Sequence, residues 1–207
     1  MTFCPIVINL EKVKITIFGG GEVASRKVKN LLGSNITIVA EKVIEEIESL
    51  ESITIVRKRI EQESDVIDYI NDSDFVIIAT NDSKINTMIK NVCKKKNKIY
   101  NSVDDKDSKV IFPAFIYDGD LIIAVSTSGK APALASYIKE DVMQHVNKYT
   151  KAINIIEKIR KNIGHGEERR KRFFRMLFKD GKFWELVDND EECMEYAISK
   201  WRDYADH

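Results

Sequence analysis

The sequence predicts an α/β protein in which a parallel sheet with helices on both faces is followed by a β-hairpin and a mostly helical C-terminal part. Up to about residue 112, short β-branched apolar runs alternate with segments of helical periodicity. Two apolar runs then flank Asp118-Gly119 with no helix between them, which is typical of a hairpin. The remainder, to His207, has helical periodicity and almost no strand signal.

The first part contains five predicted strands that are short and rich in Ile and Val, as buried parallel strands are. They are placed at 13–18, 35–40, 52–60, 74–82 and 98–105. Between them, apolar residues recur at helical spacing, which predicts helices from about 22 to 32 and at 42–51, 63–72 and 83–97. Right-handed crossovers make this alternation a doubly wound sheet.

After the sheet, the pattern predicts a hairpin within 109–129 and a helix at 131–146. The hairpin is apolar on consecutive positions and should not stay exposed in a monomer, so we expect it to form a homodimer contact. The predicted domains are therefore a nucleotide-binding domain (1–112), a hairpin and helix dimerisation segment (113–147) and a small helical C-terminal domain (148–207).

Composition excludes several classes of function. Of the 207 residues 43% are hydrophobic, and Lys+Arg and Asp+Glu both total 33, so no net charge favours nucleic acid or an anionic membrane. Cys4, Cys93 and Cys193 form no CxxC pair, which argues against disulfides and a thiolate zinc site and favours the cytoplasm. We expect no signal peptide and no membrane span.

The glycine loop after the first strand matches the dinucleotide-binding pattern G-x-G-x-x-G/A as Gly19-x-Gly21-x-x-Ala24. Gly19 would allow the tight turn, Gly21 would let backbone amides approach a pyrophosphate, and Ala24 would let the helix pack closely on the sheet. Phosphates then lie at a helix N-terminus, which favours anions. The pattern predicts a Rossmann domain that binds NAD; the alternative is a purely structural turn.

Other strand ends supply candidate cofactor contacts. Glu41 lies about 20 residues after the loop, where an acidic residue often holds the adenosine ribose; alternatively it is a solvated glutamate in the first turn of the next helix. Thr80 and Asn81 end the fourth strand, at the sheet edge where ligands of open α/β sheets bind. The helix that follows is capped at Asn81, Asp82 or Ser83, a role that is compatible with ligand contact.

Five segments of the chain form a recognisable set. In chain order they are CPIVINLEKVKITIFGGGEVASRKVKNLL, ATND, YNSVDD, FPAFIYDGDLIIAVSTSGKAPALASYIKE and GEERRKRFF. The most specific parts are the GGG[ED]VA loop, the N-x-V-D strand end and the AVSTSGKAP turn. Together these segments resemble the precorrin-2 dehydrogenase family, which includes the N-terminal half of bacterial siroheme synthase, and the resemblance covers nearly the whole chain.

This resemblance implies NAD-dependent oxidation of precorrin-2 to sirohydrochlorin, without the methyltransferase activity of the longer synthases. Some family members also insert Fe²⁺ into sirohydrochlorin, so Fe²⁺ or Co²⁺ is a candidate substrate. The family's dimer interface corresponds to the hairpin. Carried over residue by residue, the cofactor contacts fall on the loop, including Gly20, and on Glu22, Val23, Lys42 and Val43.

The resemblance places the catalytic aspartate at Asp104 and a serine that is phosphorylated in some relatives at Ser128. Hydride transfer and metal insertion both release protons, so both need a base near the macrocycle; a strand-end carboxylate serves. Asp105 is a rival, and a turn cap is the structural alternative for Asp104. No His or Cys cluster with metal-ligand spacing is present in the sequence.

The basic cluster 169–174 allows two interpretations. A substrate with eight carboxylates needs guanidinium partners, which would make Arg169 and Arg170 substrate contacts; alternatively the cluster is a solvated helix face. The neighbouring aromatic residues favour a small-domain core over a tetrapyrrole stacking site: Phe173, Phe174, Phe178, Phe183, Trp184 and Trp201. For the whole chain, the alternatives are an NAD-sensing regulatory module without catalysis and a dehydrogenase of another small substrate.

Overall fold

Five parallel strands form the sheet of the N-terminal unit. In the computed structural model, which describes residues 3–103, 108–164 and 166–205, they lie in the order β3-β2-β1-β4-β5. The chain adds strands on one side of β1 and then returns to add β4 and β5 on the other, which confirms the predicted doubly wound sheet. The strands are β1 (Lys14–Phe18), β2 (Asn35–Ala40), β3 (Ile53–Arg57), β4 (Phe75–Ile78) and β5 (Ile99–Ser102).

Helices cover both faces of this sheet, because the central strands carry buried side chains on each side. Ile17 and Ile77 face one cluster with Val28 of α1, whereas Phe18 and Ile78 face another that includes residues of α3 and α4. The helices are α1 (Glu22–Lys29), α2 (Glu45–Glu48), α3 (Ile67–Asp72) and α4 (Ser83–Lys95), with 3-10 turns at Leu10–Lys12 and Glu63–Asp65.

The second helix is shorter than predicted. The sequence analysis places a helix at 42–51, but α2 holds only Glu45–Glu48. Ile44 lies before it in an extended conformation, and its amide donates to the carbonyl of Gly20 at 3.0 Å. This hydrogen bond holds residues 42–44 against the glycine loop, so they are not part of the helix.

The chain divides into two units at Phe112–Pro113, and the described residues of the second unit form a hairpin and four helices. Gly119 has φ +56° at the tight turn of the predicted hairpin, the left-handed conformation that such turns require. The elements are β6 (Ala114–Asp118), β7 (Leu121–Val125), α5 (Pro132–Asn162), α6 (Glu167–Leu177), α7 (Gly181–Leu186) and α8 (Asp190–Ala205).

Helix α5 is twice as long as predicted. The sequence predicts that it ends at residue 146, but the helix continues to Asn162. Its second half also has a buried apolar face, formed by Ala152, Ile155 and Ile159. It packs against the hairpin and against α8. The predicted limit at 147–148 therefore lies inside one continuous helix.

The helical region has an aromatic core, as predicted. Phe173 and Phe183 are fully buried with Ile155, and Trp184 and Trp201 pack against them. Phe178 departs from the prediction, because 39% of it is exposed. Among the described residues, no helix is both long enough and apolar enough to cross a membrane.

Candidate functional site

The three glycines between β1 and α1 have three different surroundings. Gly19 has φ +116°, and a Cβ atom there would lie 2.3 Å from the carbonyl oxygen of Ala79. A Cβ atom on Gly20 would lie 2.2 Å from the carbonyl oxygen of Lys42, whereas one on Gly21 would meet nothing within 4 Å. The first two glycines therefore permit close backbone packing, and the third faces open space.

Gly21 is also the N-cap of α1, and it provides no side chain to cap the helix. The first amides of a helix have no partner within the helix, so those of the first turn are available to an external acceptor. A helix N-terminus with open space in front of it fits an anion such as a pyrophosphate. The loop thus fits the dinucleotide that its sequence pattern predicts.

Packing of the glycines brings the three predicted cofactor segments together. Gly19 contacts the end of β4 at Ala79 and Thr80, and Gly20 contacts the segment after β2 at Lys42 and Val43. All of these positions follow the carboxyl ends of parallel strands next to the point where the strand order reverses. This is the edge at which open α/β sheets bind ligands.

The segment after β2 presents its polar side chains to solvent. Ala40 is buried, while Glu41 and Lys42 are exposed and Val43 is half-buried. Because α2 begins only at Glu45, Glu41 is not in the first turn of that helix, although it is exposed to solvent as that alternative states. Glu41 directly follows the last residue of β2, and its contact with the adenosine ribose stays a prediction.

Hydrogen bonds organise the segment after β4. The hydroxyl of Thr80 donates to Oδ1 of Asn86 at 2.6 Å, and Nδ2 of Asn86 donates to the carbonyl of Thr80 at 3.0 Å. Of the three N-cap candidates, Asp82 caps α4, accepting from the amides of Lys84 and Ile85. Asn81 is exposed between these two anchored residues.

The segment after β5 contains the predicted base. Val103 donates its amide to the carbonyl of Ile78 at 3.2 Å, so the chain leaves β5 beside the end of β4. The amide of Ser102 donates to Oγ of Ser108 at 3.1 Å. Asp104 and its rival Asp105 lie outside the described residues.

Ser128 lies in the second unit, in the turn between β7 and α5. It is exposed, has φ +54°, and donates its amide to Oγ of Ser126 at 3.1 Å. Oγ1 of Thr127 accepts from the amide of Ala131 at 3.1 Å just before α5. The turn therefore presents the Ser128 hydroxyl to solvent at the start of α5.

The two arginines predicted to contact substrate have different surroundings. The guanidinium of Arg169 donates to the carbonyls of Tyr204 and Ala205 at the end of α8 and lies over the rings of Trp201 and Tyr204. A cation at a helix C-terminus is favourable, so Arg169 has a structural role there. Arg170 instead lines a groove beside α5.

Sequence reasoning missed two contributions to this site. The dinucleotide pattern leaves the second position of the loop open, and it does not show that Gly20 must pass within contact distance of Lys42. The second missed contribution is Asn86, which is 4% exposed and holds Thr80 in place through a hydrogen bond. The signal for Asn86 was an amide side chain on the otherwise apolar face of α4.

Two family models match the chain. The first, described as NAD(P)-binding, matches residues 6–114, and the second, described as Sirohaem biosynthesis protein central, matches residues 118–145. The first covers the unit that carries the glycine loop. The second covers the hairpin, the Ser128 turn and the beginning of α5.

Similar proteins include both short and long chains. A precorrin-2 dehydrogenase of Methanosarcina barkeri is 30% identical over 208 residues, with 95% of this chain and 92% of the relative covered. A siroheme synthase of Blochmanniella pennsylvanica is 37% identical over 144 residues, which are 68% of this chain but 29% of the relative. The chain spans less than half the length of the siroheme synthases it matches; for that of Tolumonas auensis the share is 42%.

A solved structure is similar over the same extent. SirC, precorrin-2 dehydrogenase, superposes with a TM-score of 0.76 at 25% sequence identity, covering 95% of this chain and all of the other. The relative from Methanosarcina barkeri and the NAD(P)-binding model each match more than half of the chain. The chain therefore belongs to the precorrin-2 dehydrogenase family, which includes the N-terminal part of siroheme synthase.

Proposed function

We propose that this chain oxidises precorrin-2 to sirohydrochlorin with NAD⁺ as the electron acceptor. The observation that carries the proposal is the glycine loop, in which Gly19 and Gly20 are packed tightly while Gly21 faces open space at an uncapped helix N-terminus. Two relatives similar over most or much of this chain, from Methanosarcina barkeri and Priestia megaterium, are precorrin-2 dehydrogenases, which supports this substrate over others.

The residues of the sheet edge would hold NAD⁺. Gly21 and the amides of Glu22 and Val23 would bind the pyrophosphate, because they begin α1 without a side-chain cap. On one side, Glu41, Lys42 and Val43 would contact the adenosine ribose; on the other, Thr80 and Asn81 would contact the nicotinamide half. When bound there, NAD⁺ would supply the acceptor for a hydride.

Loss of a hydride from the substrate also releases a proton, and Asp104 is the proposed base. Its support is sequence position: it follows Val103, whose amide is hydrogen-bonded to the end of β4. A carboxylate at this point of the chain is suited to take a proton from the macrocycle. Ser128 and Arg170 are the proposed substrate contacts, since Arg169 is engaged by the carbonyls of α8.

We propose that NAD⁺ is preferred to NADP⁺. Glu41 would repel a 2′-phosphate, and Arg57, Lys58 and Arg59 at the end of β3 are each paired with a carboxylate of the chain. The pairs are Arg57 with Glu48, Lys58 with Asp65 at 3.1 Å and Arg59 with Glu61 at 3.0 Å. These pairs leave Lys42 as the candidate cation for a 2′-phosphate.

We also propose that the protein is a homodimer that uses one face of the hairpin. Strands β6 and β7 pack against α5, whereas Tyr117 and Ile122, which are opposite each other in the hairpin register, are 71% and 43% exposed. Leu134 and Tyr137 at the beginning of α5 are exposed as well. Burying this apolar surface against a second copy would stabilise both.

The remaining proposals concern location and metal. Cys4, Cys93 and Cys193 are free thiols, which supports the reducing cytoplasm as the location. Insertion of Fe²⁺ or Co²⁺ into sirohydrochlorin stays a prediction, and no group of His, Cys, Asp and Glu in the described segments is arranged to hold a metal ion. Because the pyrrole nitrogens are the final ligands, the reaction needs chiefly a base, for which Asp104 is again the candidate.

Turnover of precorrin-2 tests the proposed dehydrogenase directly. We expect the purified chain to convert enzymatically prepared precorrin-2 to sirohydrochlorin with NAD⁺, followed by the tetrapyrrole spectrum and by NADH absorbance. Gly21→Asp is the control, since it adds bulk and negative charge in front of α1 without a clash inside the protein. A folded wild type that binds NAD⁺ but oxidises no precorrin-2 would favour the NAD-sensing module instead.

A further inference from the structure

A groove in the second unit has two walls of different origin. One wall is a single face of α6 together with Phe178, the C-cap of that helix, and the other is formed by Ile156 and Arg160, which are one turn apart on α5. The cavity between them has a volume of about 460 Å³. This volume is within the range of small-molecule sites, and it accepts a small ligand or one edge of a larger one.

The floor of the groove is apolar and partly aromatic. Phe174 is buried, but Phe178 remains 39% exposed, and the two rings are stacked with centroids 6.0 Å apart and planes inclined by 20°. The guanidinium of Arg160 lies over the Phe174 ring at 5.7 Å. Such a floor suits the edge of a flat, conjugated molecule better than a small hydrated ion.

The rim of the groove is positively charged. Glu167 is an acidic residue that lines the groove, and its carboxylate pairs with Lys171 at 3.0 Å, so these two charges compensate each other. Arg160, Arg170 and Arg175 also line the groove, and within the described part of the chain none of them has a carboxylate oxygen within 4 Å. Three guanidinium groups without a paired carboxylate among the described residues therefore lie around this floor, an arrangement that suits a polycarboxylate.

We infer that this groove binds one edge of a tetrapyrrole polycarboxylate. Arg160, Arg170 and Arg175 bind the peripheral carboxylates, and the exposed ring of Phe178 supports the edge of the macrocycle. The identity of the ligand rests on the proposed function, which supplies a tetrapyrrole with eight carboxylates. The groove itself requires less: its floor suits a flat, conjugated ligand, and its three arginines suit a polyanion.

Equilibrium binding of uroporphyrin, a stable octacarboxylate tetrapyrrole, tests this inference without NAD⁺ and without turnover. Single variants Arg160→Gln, Arg170→Gln and Arg175→Gln should each weaken binding about fivefold, and wild-type affinity should fall with added salt. Arg202→Gln is the matched control, because Arg202 is an exposed arginine of α8 that does not line the groove. Circular dichroism establishes that each variant is folded.

The comparison ligands distinguish the chemistry of the site. Coproporphyrin, with four carboxylates, should bind more weakly than uroporphyrin, and citrate or inorganic phosphate should compete only at far higher concentration. Equal affinity of the groove variants, Arg202→Gln and wild type for uroporphyrin would overturn the inference, as would displacement by citrate at matched concentration. Gly21→Asp should leave uroporphyrin binding intact, because Gly21 lies in the first unit and not in the groove. A failed dehydrogenase assay together with normal uroporphyrin binding would therefore contradict the proposed function and leave the groove as a binding site.

Discussion

At the scale of single residues, the glycine loop combines tight internal packing with open space at a helix N-terminus. Gly19 and Gly20 let the backbone pass within contact distance of the chain after β4 and after β2, and this packing aligns the segments that would hold the cofactor. Gly21 makes no such internal contact and instead leaves room in front of α1. The same side-chain addition should therefore have different consequences at neighbouring positions.

Gly20→Ala and Gly21→Ala test this difference. At Gly20 the added methyl group would lie 2.2 Å from the Lys42 carbonyl oxygen, so we expect a loss of about 2–4 kcal/mol in the free energy of unfolding. At Gly21 stability should change by less than about 0.5 kcal/mol, while NAD⁺ affinity falls about tenfold because the methyl group occupies the phosphate space. Denaturant unfolding and NAD⁺ titration measure the two effects, and equal stability losses in both variants would contradict the assignment.

Asp65 should make stability depend on pH. Its carboxylate accepts from the amides of Glu61 and Gln62 at 3.0 Å each and pairs with Lys58, and these contacts lower the pKa of Asp65 below its ordinary value. Because the folded pKa is below the unfolded one, the stabilisation is fully present above about pH 4 and is lost as the pH falls through the folded pKa.

Asp65→Asn removes that ionisation at nearly constant shape. We expect the variant to be less stable than wild type at pH 7, with the difference shrinking as the pH is lowered below 4. Urea unfolding across pH 2.5–7 measures it. A stability difference that stays constant over this range would show that charge is not the cause.

A sequence pattern predicts local conformation where the spacing follows from one turn between a strand and a helix. Gly19 has a positive φ and Ala24 is buried, as that pattern requires, whereas the cofactor contacts of the loop stay predictions. The close approach of Gly20 to Lys42 and the hold of Asn86 on Thr80 depend on tertiary packing, which spacing alone does not encode. The surroundings of Arg169 could not be foreseen for the same reason, since its partners lie 35 and 36 residues further along the chain.

At the scale of elements, strands were predicted more closely than helices. Strand β2 has the predicted bounds, and the other four strands are shorter than predicted: β1 begins one residue later, after Val13, and β4 ends at Ile78, before Ala79. Helix α2 is shorter than its periodicity suggests because Gly20 engages the amide of Ile44. Helix α5 is longer because packing against α8 supplies a buried face beyond residue 146.

Continuity of α5 at 147–148 can be tested with one residue. Asn147 is exposed and helical, so Asn147→Pro removes a backbone hydrogen bond without disturbing buried side chains. We expect a loss of about 3 kcal/mol in the second unit, with faster proteolysis near the site, whereas Asn147→Ala should be neutral or slightly stabilising. Tolerance of proline would indicate two separate helices that meet at the predicted limit.

At the scale of the whole molecule, the chain consists of two units that carry different parts of the proposed function. The first unit holds the glycine loop and all of the proposed cofactor contacts, whereas the second holds Ser128, the basic groove and the exposed hairpin face. The sequence analysis predicts three domains, and its limit at 112–113, where β-α alternation ends, coincides with the limit between these two units. The exposure of Tyr117 and Ile122, by contrast, required the register of β6 and β7.

That exposed face leads to the prediction of a homodimer. Tyr117 and Ile122 face solvent beside each other, with the opposite side of the hairpin packed on α5, and a hydrophobic face of this kind is typical of an interface. We expect light scattering to give about twice the chain mass of 23.8 kDa at micromolar concentration. Tyr117→Glu combined with Ile122→Lys should yield folded monomers, because both side chains lie outside the monomer's core.

Met176→Lys is the matched control, since Met176 is 42% exposed on α6 and so adds a charge to the same unit away from the hairpin. It should leave the mass of the dimer unchanged, which separates loss of a specific interface from a general effect of added charge. A wild type that scatters as a single chain would rule out the homodimer. If Met176→Lys also dissociates the dimer, the interface includes α6, and the hairpin face alone does not account for assembly.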